Sequence, residues 1–241
     1  MDNPLKRVSL VTGASRGIGY QIARRLGKLS ETLLLCSKRT TTLDAAVKKL
    51  KTELNANIYQ HSVDHNIGKR AAEEIGSWAK NITNRLDVLA LVAGFYIEGS
   101  LAEMTEEDFR SNMEVNFYIN YFLVQQLLPL LKKSDNGRVI IIGSTAAYEA
   151  YPIVPSYGIA KWALRGLAIN LRKELVNHNI GVTFVSPGGT LTDMWEGEDL
   201  PENRLLEAED IAKLVESTLL LSKQAVVEEI IVRPMLGDIH E

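Results

Sequence analysis

Arg7-Val8-Ser9-Leu10-Val11-Thr12-Gly13-Ala14-Ser15-Arg16-Gly17-Ile18-Gly19 is the stretch whose reading decides the fold. Arg7 to Val11 is a short apolar run with β-branched residues, and beyond Gly19 the apolar positions Ile22, Ala23 and Leu26 fall at helical spacing. Strand, glycine turn and helix in that order form the context of a dinucleotide site. Glycines let the backbone approach a pyrophosphate, and the helix N-terminus offers oriented N–H groups with partial positive charge. The spacing is Gly-x-x-x-Gly-x-Gly, wider than the usual dinucleotide fingerprint.

Working outward, Thr32 to Cys36 is a second apolar run, about twenty residues beyond the glycines, where an acidic side chain would hold the adenosine ribose of NAD. The chain places Ser37-Lys38-Arg39 there instead. With Arg16 in the glycine loop, these cations suit a 2′-phosphate, so NADP(H) is the expected cofactor. Leu43 to Leu54 reads as an amphipathic helix, and Ile58 to Val63 as a third strand ending at Asp64. Asp64 either reaches an adenine edge or caps the following helix. His61 and His65 have no Cys or acidic partner at metal-ligand spacing, and no metal is expected. A helix from about Lys69 to Lys80 leads to Leu86 to Val92, a continuous apolar run of the kind buried in parallel sheets.

In the second half, Thr105 precedes three acids and reads as a helix cap. The predicted helix runs from about Glu106 to Lys132 and carries Asn116, a polar amide in an apolar face that needs hydrogen bonds, structural or functional. Arg138 to Gly143 is a buried strand that delivers Ser144 at its C-terminal end, where ligands of open parallel sheets sit. A helix over Pro155 to Val176 sets Tyr157 and Lys161 four residues apart, on one face. A neighbouring cation favours phenolate, which equips such a tyrosine to exchange a proton with a substrate oxygen near neutral pH. Val182 to Val185 is a sixth strand, followed by Ser186-Pro187-Gly188-Gly189-Thr190-Leu191-Thr192 and by a weakly periodic stretch from Asp193 to about Pro201 that can serve as a lid. A helix over Ala208 to Leu221 and a strand over Val226 to Val232 complete the pattern.

The 241 residues suffice for one sizeable core, and no repeat or linker interrupts them, so a single domain over 1–241 is expected. A net charge of −3 provides no basic field for nucleic acid or anionic lipid, and neither is expected as a partner. The one cysteine, Cys36, has no internal disulfide partner, and no apolar run reaches spanning length; this is the pattern of a cytoplasmic protein.

Thr12-Gly13-x-x-x-Gly17-x-Gly19, Asp64, Ala93-Gly94, Asn116, Ser144, Tyr157-x-x-x-Lys161 and Pro187-Gly188-x-x-x-Thr192 together resemble the short-chain dehydrogenase/reductase family in order and spacing, from residue 7 to about 232. The resemblance implies an α/β fold, a Rossmann-like doubly wound parallel sheet of about seven strands with helices on both faces. It implies hydride exchange between a nicotinamide and a carbonyl or alcohol carbon, with Tyr157 as general acid or base. On the same reading Lys161 binds the nicotinamide ribose and lowers the Tyr157 pKa, Ser144 bonds the carbonyl oxygen, Asn116 holds a relay water and Thr192 contacts the carboxamide. The implied cofactor shell is Gly13, Ser15, Arg16, Gly17, Ile18, Gly19, Ser37, Lys38, Arg39, Asp64, Ala93, Gly94, Tyr157, Lys161, Pro187, Gly188, Thr190 and Thr192. Tyr96, Tyr151, Met194 and Trp195 fall in loops that should rim the substrate, although aromatics there can equally be packing.

Two features depart from the family pattern. Leu91-Val92 stands where Asn-Asn is usual, removing an amide that helps to fix the sheet and cofactor loop. The last strand runs into Arg233-Pro234 instead of the Val-Asp-Gly-Gly ending of acyl-carrier-protein ketoreductases, which points toward a small 3-hydroxy acid or a general carbonyl as substrate. From Asp193 to Asp210 there are eight carboxylates and one cation, Arg204, a balance that would repel an acidic carrier if it faced the pocket. A 3-oxoacyl-thioester reductase and a non-enzymatic NADPH-binding or sensing protein stand as alternatives. The helices bearing Tyr118, Phe122 and Leu123, and Trp162 and Leu167, either pack in the core or join subunits into the homodimer or homotetramer that the resemblance implies. Removing Lys38 should separate the cofactors: in Lys38→Ala the Kd for NADPH rises roughly tenfold while that for NADH barely moves. Equal losses in a fluorescence titration would place Lys38 away from the phosphate.

Overall fold

The computed structural model describes residues 7–64, 66–192, 200–201 and 203–238. The opening stretch forms β1 (Arg7–Thr12), a glycine turn and α1 (Gly17–Gly27). Gly13 and Gly17 take φ of 65° and 53°, a region that penalises any Cβ. At Gly19 the demand is steric, because a Cβ there would lie 2.1 Å from the Gly13 carbonyl oxygen.

The chain then alternates as β2 (Ser30–Ser37), α2 (Thr40–Glu53), β3 (Asn57–Ser62), α3 (Gly68–Ile82) and β4 (Val88–Leu91). α4 (Glu106–Met113) and α5 (Ile119–Leu131) precede β5 (Gly137–Ile142), which is followed by α6 (Pro155–Leu175) and β6 (Ile180–Pro187). Short strands β7 (Thr190–Leu191) and β8 (Leu206–Glu207) lead to α7 (Ala208–Leu219) and β9 (Glu229–Val232). The main sheet is 7-stranded and parallel throughout, in the order β3-β2-β1-β4-β5-β6-β9. This is the doubly wound Rossmann-like architecture.

Side-chain alternation along the strands explains why they read as unbroken apolar runs. Leu10, Leu34, Leu89, Leu91, Val139, Ile141, Val182 and Phe184 point to the layer of α3, α5 and α6. Val11, Leu33, Leu35, Val88, Ala90, Ile140, Ile142 and Val185 point to that of α1, α2 and α7. Over the central strands both faces are dry, so polar groups there can act only at the strand ends. Because β2 lies on one side of β1 and β4 on the other, the loops after β1 and β4 diverge and open a crevice between them.

Three local features differ from the sequence reading. The expected helix over 106–132 is interrupted by a π-helical turn, Glu114–Tyr118, which contains Asn116. Asn116 Nδ2 donates to the Asn112 carbonyl (3.1 Å) and Asn120 Nδ2 to the Asn116 carbonyl (2.9 Å), bonds from side chains that help accommodate the wider turn. β7 and β8 pair with each other in parallel, a contact too short to leave a periodic signal. The strand expected over 226–232 is only Glu229–Val232. Thr105 does cap α4, accepting from the Asp108 N–H at 3.1 Å. Cys36 is wholly buried, and burial pushes its thiol far up, leaving it inert.

Phe184 links this core to the site. It is fully buried, and a Cβ on Gly143 would come within 2.2 Å of its Cζ, so ring and glycine together set the level at which the chain leaves β5. Phe184→Ala should cost roughly 3–5 kcal/mol, read as a lower urea midpoint; a loss below about 1 kcal/mol would mean that the layer closes over the gap.

Candidate active site

At the C-terminal edge of the sheet lies a crevice of about 410 Å³. Of the residues singled out in the sequence, Gly13, Ser15, Arg16, Gly17, Ile18, Gly19, Ser37, Lys38, Arg39, Ala93, Gly94, Tyr157, Lys161 and Thr192 line it. Its floor is tied by Thr12, whose Oγ1 accepts from the N–H groups of Val92 (2.9 Å) and Ala93 (3.2 Å). The link between cofactor loop and sheet does not therefore depend on an amide at residues 91 and 92. The Ser37 hydroxyl donates to Ser15 Oγ at 2.8 Å, and a Cβ on Gly17 would meet the Thr192 methyl at 3.1 Å, so the glycine loop is held from both sides.

At the end of the crevice lined by Ser37 and Arg39, Lys38 Nζ donates to Asn66 Oδ1 (2.9 Å) and lies 3.3 Å from Asp64 Oδ1. Asp64 does not cap α3. It accepts from the Asn66 N–H at 3.2 Å, while the first N–H of α3, that of Gly68, goes to Glu114 Oε2 at 2.7 Å. Lys38 and Arg39 are exposed at the rim, and Thr42 and Asn66 join them in lining it. His61 is engaged elsewhere, bonded to Glu74 at 2.8 Å and stacked on Trp78; His65 lies outside the described residues.

At the opposite end Ser144 leaves β5 and starts a 3₁₀ turn, Thr145–Ala147, its Oγ accepting from the Ala146 N–H at 3.1 Å. Tyr157 and Lys161 rise from the first turns of α6, with Pro155 at its start. Burial pushes the Tyr157 phenol up to about 12; a hydrogen bond with Ser144 pulls it down, and Tyr151 and Tyr96 push it up again. Lys161, expected from its spacing to depress this phenol, is not what lowers it; the hydrogen bond with Ser144 is. The ammonium sits 5.2 Å from the centre of the tyrosine ring, donates to the Ile142 carbonyl at 3.3 Å, and is itself lowered by burial to about 8.

Asn116 stands behind this pair. Its Nδ2 donates to the Phe95 carbonyl (2.8 Å) and to Asn112, whereas its buried Oδ1 has no partner among the described residues. A Cβ on Gly94 would lie 2.9 Å from that oxygen and 3.4 Å from Lys161 Nζ. The bare glycine thus keeps open a polar space shared by amide and ammonium.

Residues 7–203, most of this chain, match the sequence profile of the short chain dehydrogenases. The chain belongs to the short-chain dehydrogenase/reductase family. It is 32% identical over 248 residues to the sepiapterin reductase of Chlorobaculum tepidum, covering 98% of this chain and 100% of that one. It is 33% identical over 203 residues to dehydrogenase/reductase SDR family member 4 of Bos taurus, covering 80% and 71%. An alcohol dehydrogenase from Thermococcus sibiricus complexed with 5-hydroxy-NADP superposes with a TM-score of 0.87 at 27% identity, covering 96% and 97%. A metagenomic short-chain oxidoreductase in complex with NADP gives 0.82 at 28%, covering 96% and 98%.

In this short-chain dehydrogenase/reductase the remaining expected residues surround the crevice. Pro187 ends β6, and Gly188 and Thr190 form the next turn, where Thr190 Oγ1 donates to the Gly188 carbonyl at 2.9 Å. The Tyr96 ring meets that of Tyr157 edge-on, with centroids 6.2 Å apart, and Tyr151 Oη lies 2.9 Å from Thr145 Oγ1. Met194, Trp195 and the rest of 193–199, most of the lid expected from Asp193 to about Pro201, lie outside the described residues. The sequence reading missed Asn112 and Asn120, although their spacing of four from Asn116 was a visible sign of a buried polar row.

The Lys161 shift has a testable sign. Its pKa of about 8 in the fold lies below the ordinary 10.5, so between these values the unfolded chain binds more protons and stability rises with pH. Across that window the wild type should gain up to about 3 kcal/mol relative to Lys161→Met. The Tyr157 shift has the opposite sign and acts only above pH 10. Melting curves showing a constant difference between the two proteins would mean that Lys161 is solvated.

Proposed function

We propose that this chain interconverts a carbonyl and a secondary alcohol with NADP(H), Tyr157 serving as general acid in reduction and as base in oxidation. The observation that carries the reading is the meeting of Ser144, Tyr157 and Lys161 at one end of a crevice whose other end is lined by Arg16, Lys38 and Arg39. The cradle suits a dinucleotide, because Gly13 and Gly19 leave backbone where any Cβ would collide. The NADP complexes among the structural relatives support the choice of the phosphorylated cofactor. NADP(H), when bound, supplies the hydride chemistry.

The chain's own groups hold the substrate oxygen and move the proton. Ser144 and Tyr157 set hydroxyls side by side, and both can donate to an oxygen gaining negative charge. With a pKa of about 12, Tyr157 is a neutral phenol at working pH, the form needed to protonate an alkoxide. Lys161 keeps an ammonium beside it, and Asn116 Oδ1 offers an acceptor for a water between amide and ammonium. Gly13, Ser15, Gly17, Ile18 and Gly19 would hold the pyrophosphate, and the turn carrying Pro187, Gly188, Thr190 and Thr192 would bound the nicotinamide end.

The ending of the last strand in Arg233-Pro234 favours a small 3-hydroxy acid or a general carbonyl, and Tyr96 and Tyr151 stand near the reacting groups. The likeness to a sepiapterin reductase adds a ketone on a heteroaromatic ring to the candidates. The excess of carboxylates between Asp193 and Asp210 would disfavour an acyl-carrier substrate if that stretch faces the pocket. A binding-only protein would need no proton donor, whereas Ser144, Tyr157, Lys161 and Asn116 are all present. Leu123 packs in the core, but Tyr118 in the π-helical turn, Tyr121 on α5 and Trp162 on α6 are exposed, which supports association of copies through these faces.

The test is NADPH absorbance with 2,3-butanedione, sepiapterin and an acetoacetyl thioester, together with NADP reduction by serine as a small 3-hydroxy acid. Turnover of a ketone or of the hydroxy acid is expected, with Tyr157→Phe at least about 10²-fold slower and NADPH affinity nearly unchanged. Substantial activity in Tyr157→Phe would sink the proton-donor role. A thioester reduced fastest would overturn the substrate reading, and silence on all four with tight NADPH binding would favour the binding-only protein.

A further inference from the structure

After β9 the chain folds back over the sheet edge. The Gly237 N–H donates to the Pro234 carbonyl at 3.0 Å, Gly237 takes φ of 80°, and Asp238 ends only 5% exposed. Its Oδ2 accepts from the Tyr151 hydroxyl at 2.5 Å and from the Arg233 guanidinium, and its Oδ1 accepts from the Gly189 N–H at 3.3 Å. A Cβ on Gly188 would lie 2.4 Å from that Oδ1, so residue 188 must be bare for the carboxylate to reach the turn. Arg204 fastens the strap from another direction, donating to the carbonyls of Gly237 (2.8 Å) and Asp238 (3.0 Å). Met235 and Leu236 are 97% and 78% exposed, so polar bonds, not apolar burial at its tip, hold the strap.

Both anchorage points belong to the reaction site. Tyr151 gives its proton to Asp238, so the Thr145 hydroxyl donates to Tyr151 Oη, and Thr145 directly follows Ser144. Gly189 leads into Thr190 and Thr192, the latter against the glycine loop. One buried carboxylate therefore joins the turn after β5, which carries Ser144, to the turn after β6, which bounds the other wall. Burying a carboxylate is costly unless it is paired and hydrogen-bonded, and here a cation, a phenol and a backbone N–H surround it.

We propose that Asp238 is a positioning residue, holding the Ser144–Thr145 turn through Tyr151, and the Gly188–Thr192 turn through Gly189, at the separation the reaction needs. The inference rests on the assignment of Ser144 and Tyr157 given above. The test compares Asp238→Ala, Asp238→Asn, Tyr151→Phe and the Asp238→Ala/Tyr151→Phe double variant on the carbonyl reduced fastest. Asp238→Ala should lower kcat/KM about 10- to 100-fold, chiefly through kcat, with the NADPH Kd changed less than about threefold. The double variant should be no worse than its poorer parent, and Asp238→Asn, which keeps an acceptor for Tyr151, should recover most of the rate. Amide exchange over 144–151 and 188–192 should quicken in Asp238→Ala.

Multiplicative losses, a loss wholly in KM, or unchanged exchange in both turns would overturn the proposal. If Asp238→Ala does not fold, Thr145→Val cuts the far end of the same chain of bonds while leaving the carboxylate paired. It should show the same fall in kcat, and full activity in both Thr145→Val and Tyr151→Phe would end the idea. Exchange needs neither substrate nor cofactor, so it stays decisive even if an active Tyr157→Phe disproves the catalytic reading.

Discussion

The Thr12 hydroxyl, accepting two backbone N–H groups from the start of the loop after β4, is the contact on which the crevice depends. β1 and β4 are neighbours, but their following loops run apart, and divergence at that point would leave backbone donors exposed to a cleft. Thr12 satisfies them from the floor and leaves the loops above free to splay. Gly13 then turns over Ala93 with no room for a Cβ, since such an atom would be 3.0 Å from the Ala93 Cα. Cofactor loop and sheet are consequently one packed unit, which is why the chain tolerates Leu91-Val92 where an amide pair is usual.

The parts of this architecture legible in the sequence are those encoded by burial and by sterics. Strands dry on both faces must be apolar at every position, so Leu33 to Cys36, Leu89 to Leu91 and Val139 to Ile142 announce themselves. Gly13, Gly17 and Gly19 are demanded by conformation or close approach, and Tyr157 and Lys161 by the geometry of a single helix. What escaped depends on contacts between segments distant in the chain. The π-helical turn at Asn116 arises where side-chain amides bond back to the backbone and Glu114 is drawn to the start of α3, and no hydrophobic period records either bond. Asp238 looks like a tail residue until Tyr151, 87 positions earlier, is seen to bond it.

Spacing alone does not set the electrostatics of the pair on α6. Four residues apart on a helix, a tyrosine and a lysine invite the inference that the cation acidifies the phenol. Burial acts on both groups at once, and it disfavours the charged form of each, raising one pKa to about 12 and lowering the other to about 8. The protein alone therefore sets a neutral phenol beside an ammonium close to its own titration, with Ser144 the main influence in the other direction. On the proposed reading, a neutral donor near a labile cation would serve reduction, because the phenol has a proton to give and a charged neighbour to stabilise the phenolate it becomes.

A parallel sheet gathers its strand ends at one edge, but it does not hold the loops that leave them in mutual register. β5 and β6 are paired over Gly137 to Ile142 and Ile180 to Val185, and beyond that ladder each loop is free to drift. Reaction geometry tolerates little drift, since a misplacement of about 1 Å can cost on the order of a hundredfold in rate. A tie across the ends must be polar, because these segments face the wet crevice, and it must be short, because a long side chain would add the freedom it is meant to remove. A buried carboxylate meets both demands, with two oxygens that can accept from different segments and a neighbouring cation, Arg233, bonded to it. The bare backbone of Gly188 is the corresponding demand on the loop, since the carboxylate reaches the turn only where a side chain is missing.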